Sequence, residues 1–484
     1  MRIRVIQITI IILFSVFFCA KTQAVDIFRT LDSVPATPTE PLMHDVMCHA
    51  LPESRPLELD DVISEAICVN PQARKAWADA RAQAAALGIA DAAYLPVLNA
   101  TIGAERDTLA TTYDYSVFGV GARNISQNTS SKYGMLNLSW MLVDFGRRGA
   151  IRRQARALLA ADIAIQNDAL QTVFFNAAKA FYALLDADIS LDAAQQIEKI
   201  AYTSLAETIA KHKSGAGTLA DELQARTSYQ RATLDRVSAE GDLDDAIGSL
   251  AVVMGLDADT KIKILPPLTD DMPDANTSKD INATIEQLID EAKKVQPKLV
   301  AARAILDAAR ANVDVSRTQN RPAVSLVGNL SQNNPSYQQQ PQSIPITRSR
   351  GSMIGIQINI PLFEGFASKY RIEQAQAQVA SQEEVVRDTE LQVSLDVWKS
   401  YRDEKTDASN FVNSESLLDV ARHAFDIARG RYKEGVGTFT EVLTAQTALG
   451  DAQKQRVLAI SKWRVARLKL AESLGKLRLH DVNQ

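Results

Sequence analysis

Aromatic residues make up only 6% of this 484-residue chain, and it has just five histidines and three cysteines. Two histidines, His44 and His49, stand together near the N-terminus, and His212, His423 and His480 are scattered. No metal-ligand set recurs, and neither a nucleophile elbow nor a phosphate loop is present. Enzymatic chemistry and a bound cofactor are therefore not expected. Basic surplus is missing as well: the formal charge is −5, with no concentrated Lys/Arg stripe, which excludes a surface built to neutralise nucleic-acid phosphates. Long apolar runs are absent beyond the N-terminus. A spanning helix needs roughly 20 such residues, so any membrane passage of the mature chain has to be made by strands.

What is there begins with an export signal. Arg2 and Arg4 precede an apolar run from Ile8 to Ala20, and Thr22-Gln23-Ala24 supplies the small residue of a cleavage site. Residues 1–24 are expected to be removed, with 25–56 as an N-terminal extension. Cys19 follows Phe17-Phe18, where an acylated lipoprotein would carry a small residue, so a lipid anchor is not favoured. Cys48 and Cys68 then remain, an even number in an exported chain, which favours one disulfide. Two free thiols, or a metal held by His44, Cys48 and His49, are the alternatives; no downstream His pair completes a tetrahedral set.

The rest of the chain is two copies of one unit. Asn70-Pro71-Gln72 opens a helical run ending at Leu95-Pro96, and Gln296-Pro297-Lys298 opens one ending at Arg321-Pro322, a displacement of 226 (297 − 71). Later landmarks recur at 220 (362 − 142): Leu142 and Leu362, Gln154-Ala155 and Gln374-Ala375, Gly215-x-Gly217-Thr218 and Gly435-x-Gly437-Thr438, Gly255 and Gly475. The second copy has thus lost residues between Pro96 and Leu142. The copies are read as 57–275 and 276–476, followed by a tail at 477–484.

Each copy predicts a helix, two strands, a very long helix, a glycine turn and another long helix. Leu98, Ala100, Ile102 and Ala104 alternate with Asn99, Thr101, Gly103 and Glu105, as one greasy strand face requires. Leu136, Leu138, Trp140 and Leu142 repeat the pattern. So do Val324, Leu326, Gly328 and Leu330, and then Ile354, Ile356, Ile358 and Ile360. Strands of roughly ten residues suit a tilted membrane crossing. The Ser-, Asn- and Thr-rich segments 108–132 and 332–350 are expected to be external loops. From Arg147 to Lys213 and from Ala367 to Lys433 almost no Pro or Gly interrupts a helical pattern, and each run would extend on the order of 100 Å.

Four membrane strands cannot stand alone, because an unpaired backbone group in lipid costs several kcal/mol. Two chains would close eight strands and three would close twelve, both within the range of about 8 to 26 found in bacterial barrels. The small polar residues Asn99, Thr101, Ser139, Ser325 and Asn359 suit a wet interior, which needs the wider closure.

The duplicated helix–hairpin–long helix unit, Leu-Val-Asp-Phe-Gly at 142–146 with Pro-Leu-Phe-Glu-Gly at 361–365, and the two Gly-x-Gly-Thr turns together resemble the TolC-like outer-membrane efflux protein family, over nearly the whole mature chain. The resemblance implies an α+β membrane protein: a homotrimer with a twelve-stranded transmembrane β-barrel in outer-membrane lipid, four strands per chain, continued by a long helical barrel in the periplasm. It also implies docking to a periplasmic adaptor (membrane fusion) protein and an inner-membrane ABC or proton-driven transporter. Residues 436–446 match the family's tip segment, where acidic residues narrow the pore. Glu441, Asp221 and Glu222 are the constriction candidates, while Thr444 stands where many members carry a second acid. Lys213, Gly215, Gly217, Lys433, Gly435 and Gly437 are the candidates for the tip and adaptor contact. The same carboxylates also suit helix N-terminal turns, and Lys211, Lys213, Arg431 and Lys433 suit helix C-termini. Type I protein secretion is the favoured cargo route, with small-molecule efflux as the alternative and a helical surface stalk as the remote one.

Overall fold

The computed structural model describes residues 26–37, 55–265, 285–334 and 348–477. The export signal, Cys19, and Cys48 with His44 and His49 lie outside these residues.

The elements run in two rounds. The first holds α1 (Leu59–Val69), α2 (Pro71–Ala92), β1 (Val97–Tyr113), β2 (Arg123–Val143), α3 (Arg147–Lys213) and α4 (Leu219–Val253). The second holds α5 (Ile285–Val295), α6 (Pro297–Thr318), β3 (Ala323–Asn334), β4 (Ser349–Asn359), α7 (Ala367–Lys433) and α8 (Phe439–Ser473). Helix bounds repeat at 226 before the strands (285 − 59) and at 220 after them (367 − 147). The two long helices, 67 residues each, occupy the ranges read from the sequence. Helices α1 and α5 are additions to that reading. They stop where they do because Pro71 and Pro297 follow, and a proline, lacking an N–H, begins a helix more readily than it continues one. A capping box starts α1, with the Glu58 N–H donating to Asp61 Oδ2 at 2.9 Å.

The chain divides into two compact units that cut across the repeats. Among the described residues, one contains 26–34, 83–156, 308–334 and 348–377, the other 35–37, 55–82, 157–265, 285–307 and 378–477. In the second unit each repeat builds a core from equivalent positions. Val62, Ala66, Val173, Ala177, Leu250 and Met254 cluster in the first copy. Leu288, Ala292, Val393, Val397, Leu470 and Leu474 cluster in the second. Even the turns agree: Gly255 (φ 83) closes against Val69 and Asn70, and Gly475 (φ 67) against Gln296 and Pro297. There a side chain would meet backbone at 3.1 Å in the first copy and 3.3 Å in the second, so glycine is required by both space and conformation.

The first unit holds one antiparallel sheet in the order β1-β2-β3-β4. Its register aligns Leu98–Leu138–Gly328–Ile354, Ala100–Leu136–Leu330–Ser352 and Trp140–Leu326–Ile356 in successive rows of one face. Asn99–Asn137–Asn329–Met353 and Met141–Ser325–Gln357 form rows of the other. The apolar and polar sets expected from alternation therefore fall on opposite faces across all four strands. Gly103 is covered by its cross-strand partner Tyr133, whose ring fills the space a Cβ would need.

Two expectations are corrected. Segment 108–132 is largely strand rather than loop: β1 and β2 are 17 and 21 residues long, pairing continues from Thr108↔Asn128 to Tyr113↔Arg123, and only residues 114–122 join the two strands at the hairpin end. Ladder bonds come from the backbone, so strands can keep pairing without the apolar alternation that reveals a strand in sequence. Of the second segment, β3 extends to Asn334 and β4 starts at Ser349. The other correction concerns Leu142, read as continuing the apolar alternation: a bulge between Met141 and Val143 passes over it in the register and places Val143 opposite Val324.

Candidate functional site

The two glycine turns are built alike. At the end of α3, Gly215 adopts φ 75, and the N–H groups of Ala216 and Gly217 donate to Lys211 O at 2.9 and 3.0 Å. At the end of α7, Gly435 adopts φ 75, and Val436 and Gly437 donate to Arg431 O at 3.0 and 3.1 Å. These bonds satisfy carbonyls that a helix end leaves open, and the left-handed position takes glycine without strain. A Cβ on Gly437 would lie 3.0 Å from that of Arg431, so this second glycine is set by close approach.

Threonine caps restart each chain segment as a helix. Asp221 N–H donates to Thr218 Oγ1 at 3.1 Å, and Thr218 Oγ1 donates back to Asp221 Oδ2 at 2.8 Å. In the second copy Glu441 N–H donates to Thr438 Oγ1 at 3.3 Å, with Thr438 Oγ1 donating to Glu441 Oε1 at 3.3 Å. Asp221 and Glu441 thus serve as cap partners. The longer Glu441 also reaches Arg431, with Oε2 at 3.5 Å from Nε, and its side chain stays 46% exposed. Glu222 is different: its side chain is only 15% exposed and is held between His212 (2.8 Å) and Arg226 (3.1 Å). We expect Thr438→Ala to cost about 1 kcal/mol. Faster hydrogen exchange of the Glu441 amide, with the middle of α8 unchanged, is the check.

The tertiary structure brings the two turns together. Lys211 Nζ donates to Tyr432 O at 2.5 Å and sits 3.8 Å from the centre of the Tyr432 ring. Glu207 pairs with Arg429 at 3.1 Å and Lys433 at 3.8 Å. Tyr432 packs edge-on against Phe439 within a small core with Ala225, Phe425, Val442 and Leu449. Burial, followed by the charges of Asp221 and Glu207, raises the Tyr432 hydroxyl pKa. Glu207 and Tyr432 were missed from sequence because their partners Arg429 and Lys211 lie a whole repeat away. Lys213 and Lys433 are both exposed, and Lys433 alone shares the Glu207 contact. Cys68, in α1, is disulfide-bonded, and Cys48 lies outside the described residues.

Paired 67-residue helices, mirrored glycine turns and a sheet greasy on one face define a class of protein: a channel of the outer membrane. The model of the family described as "Outer membrane efflux protein" matches residues 62–256 and again 288–476. The chain belongs to that family, whose members are outer-membrane channels rather than enzymes. The two matches begin 226 residues apart (288 − 62) and end 220 apart (476 − 256), the displacements of the repeat. Protein CyaE of Bordetella pertussis is 29% identical over 425 residues, covering 87% of this chain and 84% of that protein. Outer membrane protein TolC of Escherichia coli K12 is 24% identical over 437 residues, covering 88% and 83%. The crystal structure of the outer membrane protein VceC from Vibrio cholerae shares the fold, with a TM-score of 0.70 at 18% identity over 86% of this chain and 96% of that one.

Proposed function

We propose that this protein is one protomer of a trimeric exit duct that carries cargo from an inner-membrane transporter and a periplasmic adaptor through the outer membrane. The observation that carries the reading is the sheet: β1 and β4 are edge strands whose outer sides have no partner among the described residues, yet they bear an apolar face suited to lipid. Open edges are unaffordable in hydrocarbon, so closure must come from other copies, and three copies give the twelve strands that leave a lumen. Helix α7 supports self-association, because Leu391, Leu395 and Trp398 form an exposed apolar stripe at i, i+4, i+7 spacing. Asp221 and Glu441 would then ring the narrow end of the pore, with Glu222 behind them in its ion pairs. Lys213, Gly215, Gly217, Lys433, Gly435 and Gly437 would present the turns to the adaptor.

Type I protein secretion is the favoured route. An extension that carries Cys48 ahead of the first repeat, a disulfide-bonded Cys68 in α1 and the lack of a small residue ahead of Cys19 support it. Deleting the gene should remove a defined protein from the culture supernatant while leaving susceptibility to small toxic compounds unchanged; the reverse result would make the protein a small-molecule efflux duct. The Cys68 partner is assigned as Cys48, which would tie the extension to α1. Non-reducing peptide mapping should recover one peptide pair containing both, and a free Cys48 would remove the assignment.

A further inference from the structure

The charges of the sheet are sorted by face just beyond its apolar belt. On the apolar face the row Ile102–Gly134–Gln332–Arg350 is the last with an aliphatic side chain larger than alanine; the next row of that face places Ala104 opposite Lys132, and the one after places Arg106 opposite Ser130. Arg350, Lys132 and Arg106 therefore share the apolar face, and strand geometry spaces them about 12 and about 8 Å apart on a diagonal. All three are exposed. The carboxylates Glu105 and Asp107 flank Arg106 in sequence but point to the opposite face, where Glu105 accepts from Ser131 Oγ at 3.1 Å. No carboxylate in the strands shares the face of the three cations.

A second observation lies on the same face. A shallow trough of about 520 Å³ is lined by Ile102, Gly134, Leu136 and Leu330, with the polar Gln332 and Ser352 and the cation Arg350 completing that face of its wall. Gly134 makes the depression, since a Cβ added there would meet no atom within 4 Å. Apolar lining, a cation in the wall and uncompensated positive charge have one chemical complement: an acyl chain attached to a phosphate.

We propose that this face binds a phosphate-bearing lipid of the outer leaflet, an acyl chain lying in the Gly134 trough and phosphate oxygens accepting hydrogen bonds from Arg350, Lys132 and Arg106. The proposal rests on the barrel reading above, which turns the apolar face to lipid and the hairpin ends outward. Arginine and lysine bind phosphate through charge-assisted bonds, and each cation near an anionic lipid surface adds attraction that salt weakens.

The test uses full-length protein from the outer-membrane fraction, incubated in neutral detergent with bisphosphorylated lipid A or its dephosphorylated form, with retained lipid read by native mass spectrometry. The wild type should retain the phosphorylated lipid only. Arg106→Gln/Lys132→Gln/Arg350→Gln should lose about fivefold in affinity for each charge removed. Gly134→Leu should lower retention with all charges intact, whereas Arg123→Gln, on the face of the acids, should retain lipid like wild type. Equal retention by the triple variant and wild type, or equal retention of the dephosphorylated lipid, overturns the site. Heat-resistant oligomers on gels show that each variant has assembled, and single Arg350→Gln provides a milder variant. Urea extraction of the wild type from membranes separates the two readings: a protein that is stripped off defeats the barrel itself, and one that stays integral but ignores phosphate defeats only this inference.

Discussion

Ile356→Arg is expected to abolish the heat-resistant oligomer, whereas Gln357→Arg, one residue along the same strand, leaves it nearly intact. Ile356 pairs with Leu326 in the row that also holds Trp140, within the apolar belt, and its side chain is 68% exposed in the single chain. In the proposed barrel that exposure faces hydrocarbon, where an arginine near the midplane costs about 2–4 kcal/mol. A trimer would carry the cost three times. Gln357 pairs with Ser325 on the polar face, where a long cation finds water. Gel mobility before and after heating, with the fraction resisting urea extraction, provides the measurement. Equal damage from the two variants would mean the faces are exchanged, which a one-residue slip in register would produce.

Glu441→Lys should convert a cation-preferring pore to one that resists cations, with oligomer yield unchanged. The argument rests on multiplication: in a trimer Glu441 appears three times around the axis, and a ring of carboxylates favours cations. Its charge is only partly matched by Arg431, at 3.5 Å and with both side chains about half exposed. Because Glu441 also closes the cap with Thr438, alanine would confuse loss of charge with loss of helix start. Glu441→Gln separates them, since glutamine keeps the capping geometry while removing the charge. Planar-bilayer recordings should show weaker cation selectivity for Gln and reversal for Lys. Both effects should be largest at low salt, because screening confines the field to about 10 Å at 0.1 M. Unchanged selectivity in both variants would leave Glu441 as a cap residue alone.

Much of this was legible in the sequence because it is encoded locally or by repetition. The ends of the 67-residue helices follow from where Pro and Gly are absent, and from the Gly-x-Gly-Thr turns that close them. Strand faces follow from period-two alternation, and Leu98, Leu138, Gly328 and Ile354 share a row as that alternation requires. The capping roles of Asp221 and Glu441 follow from their place three residues after a threonine. Local signals failed where the physics is not local. The strand ends at 108–113 and 123–132 carry no apolar alternation in sequence, being mostly Thr, Ser, Asn and Gln, and backbone ladders do not depend on side-chain polarity.

What only the tertiary structure decided depends on which distant segments meet. Lys211 bonds to Tyr432, Glu207 to Arg429, and Phe439 seals a core with Ala225, all between helices of different repeats. A sequence repeat states that two turns are alike but not that they touch. The burial of Glu222 in an ion pair, against the half-exposure of Glu441, was likewise decided by packing: His212 and Arg226 close over Glu222, and its counterpart Val442 turns into the core. Repetition determined the elements; burial, which depends on how the folded chain packs, distinguished Glu222 from Glu441, to which the sequence had given one role.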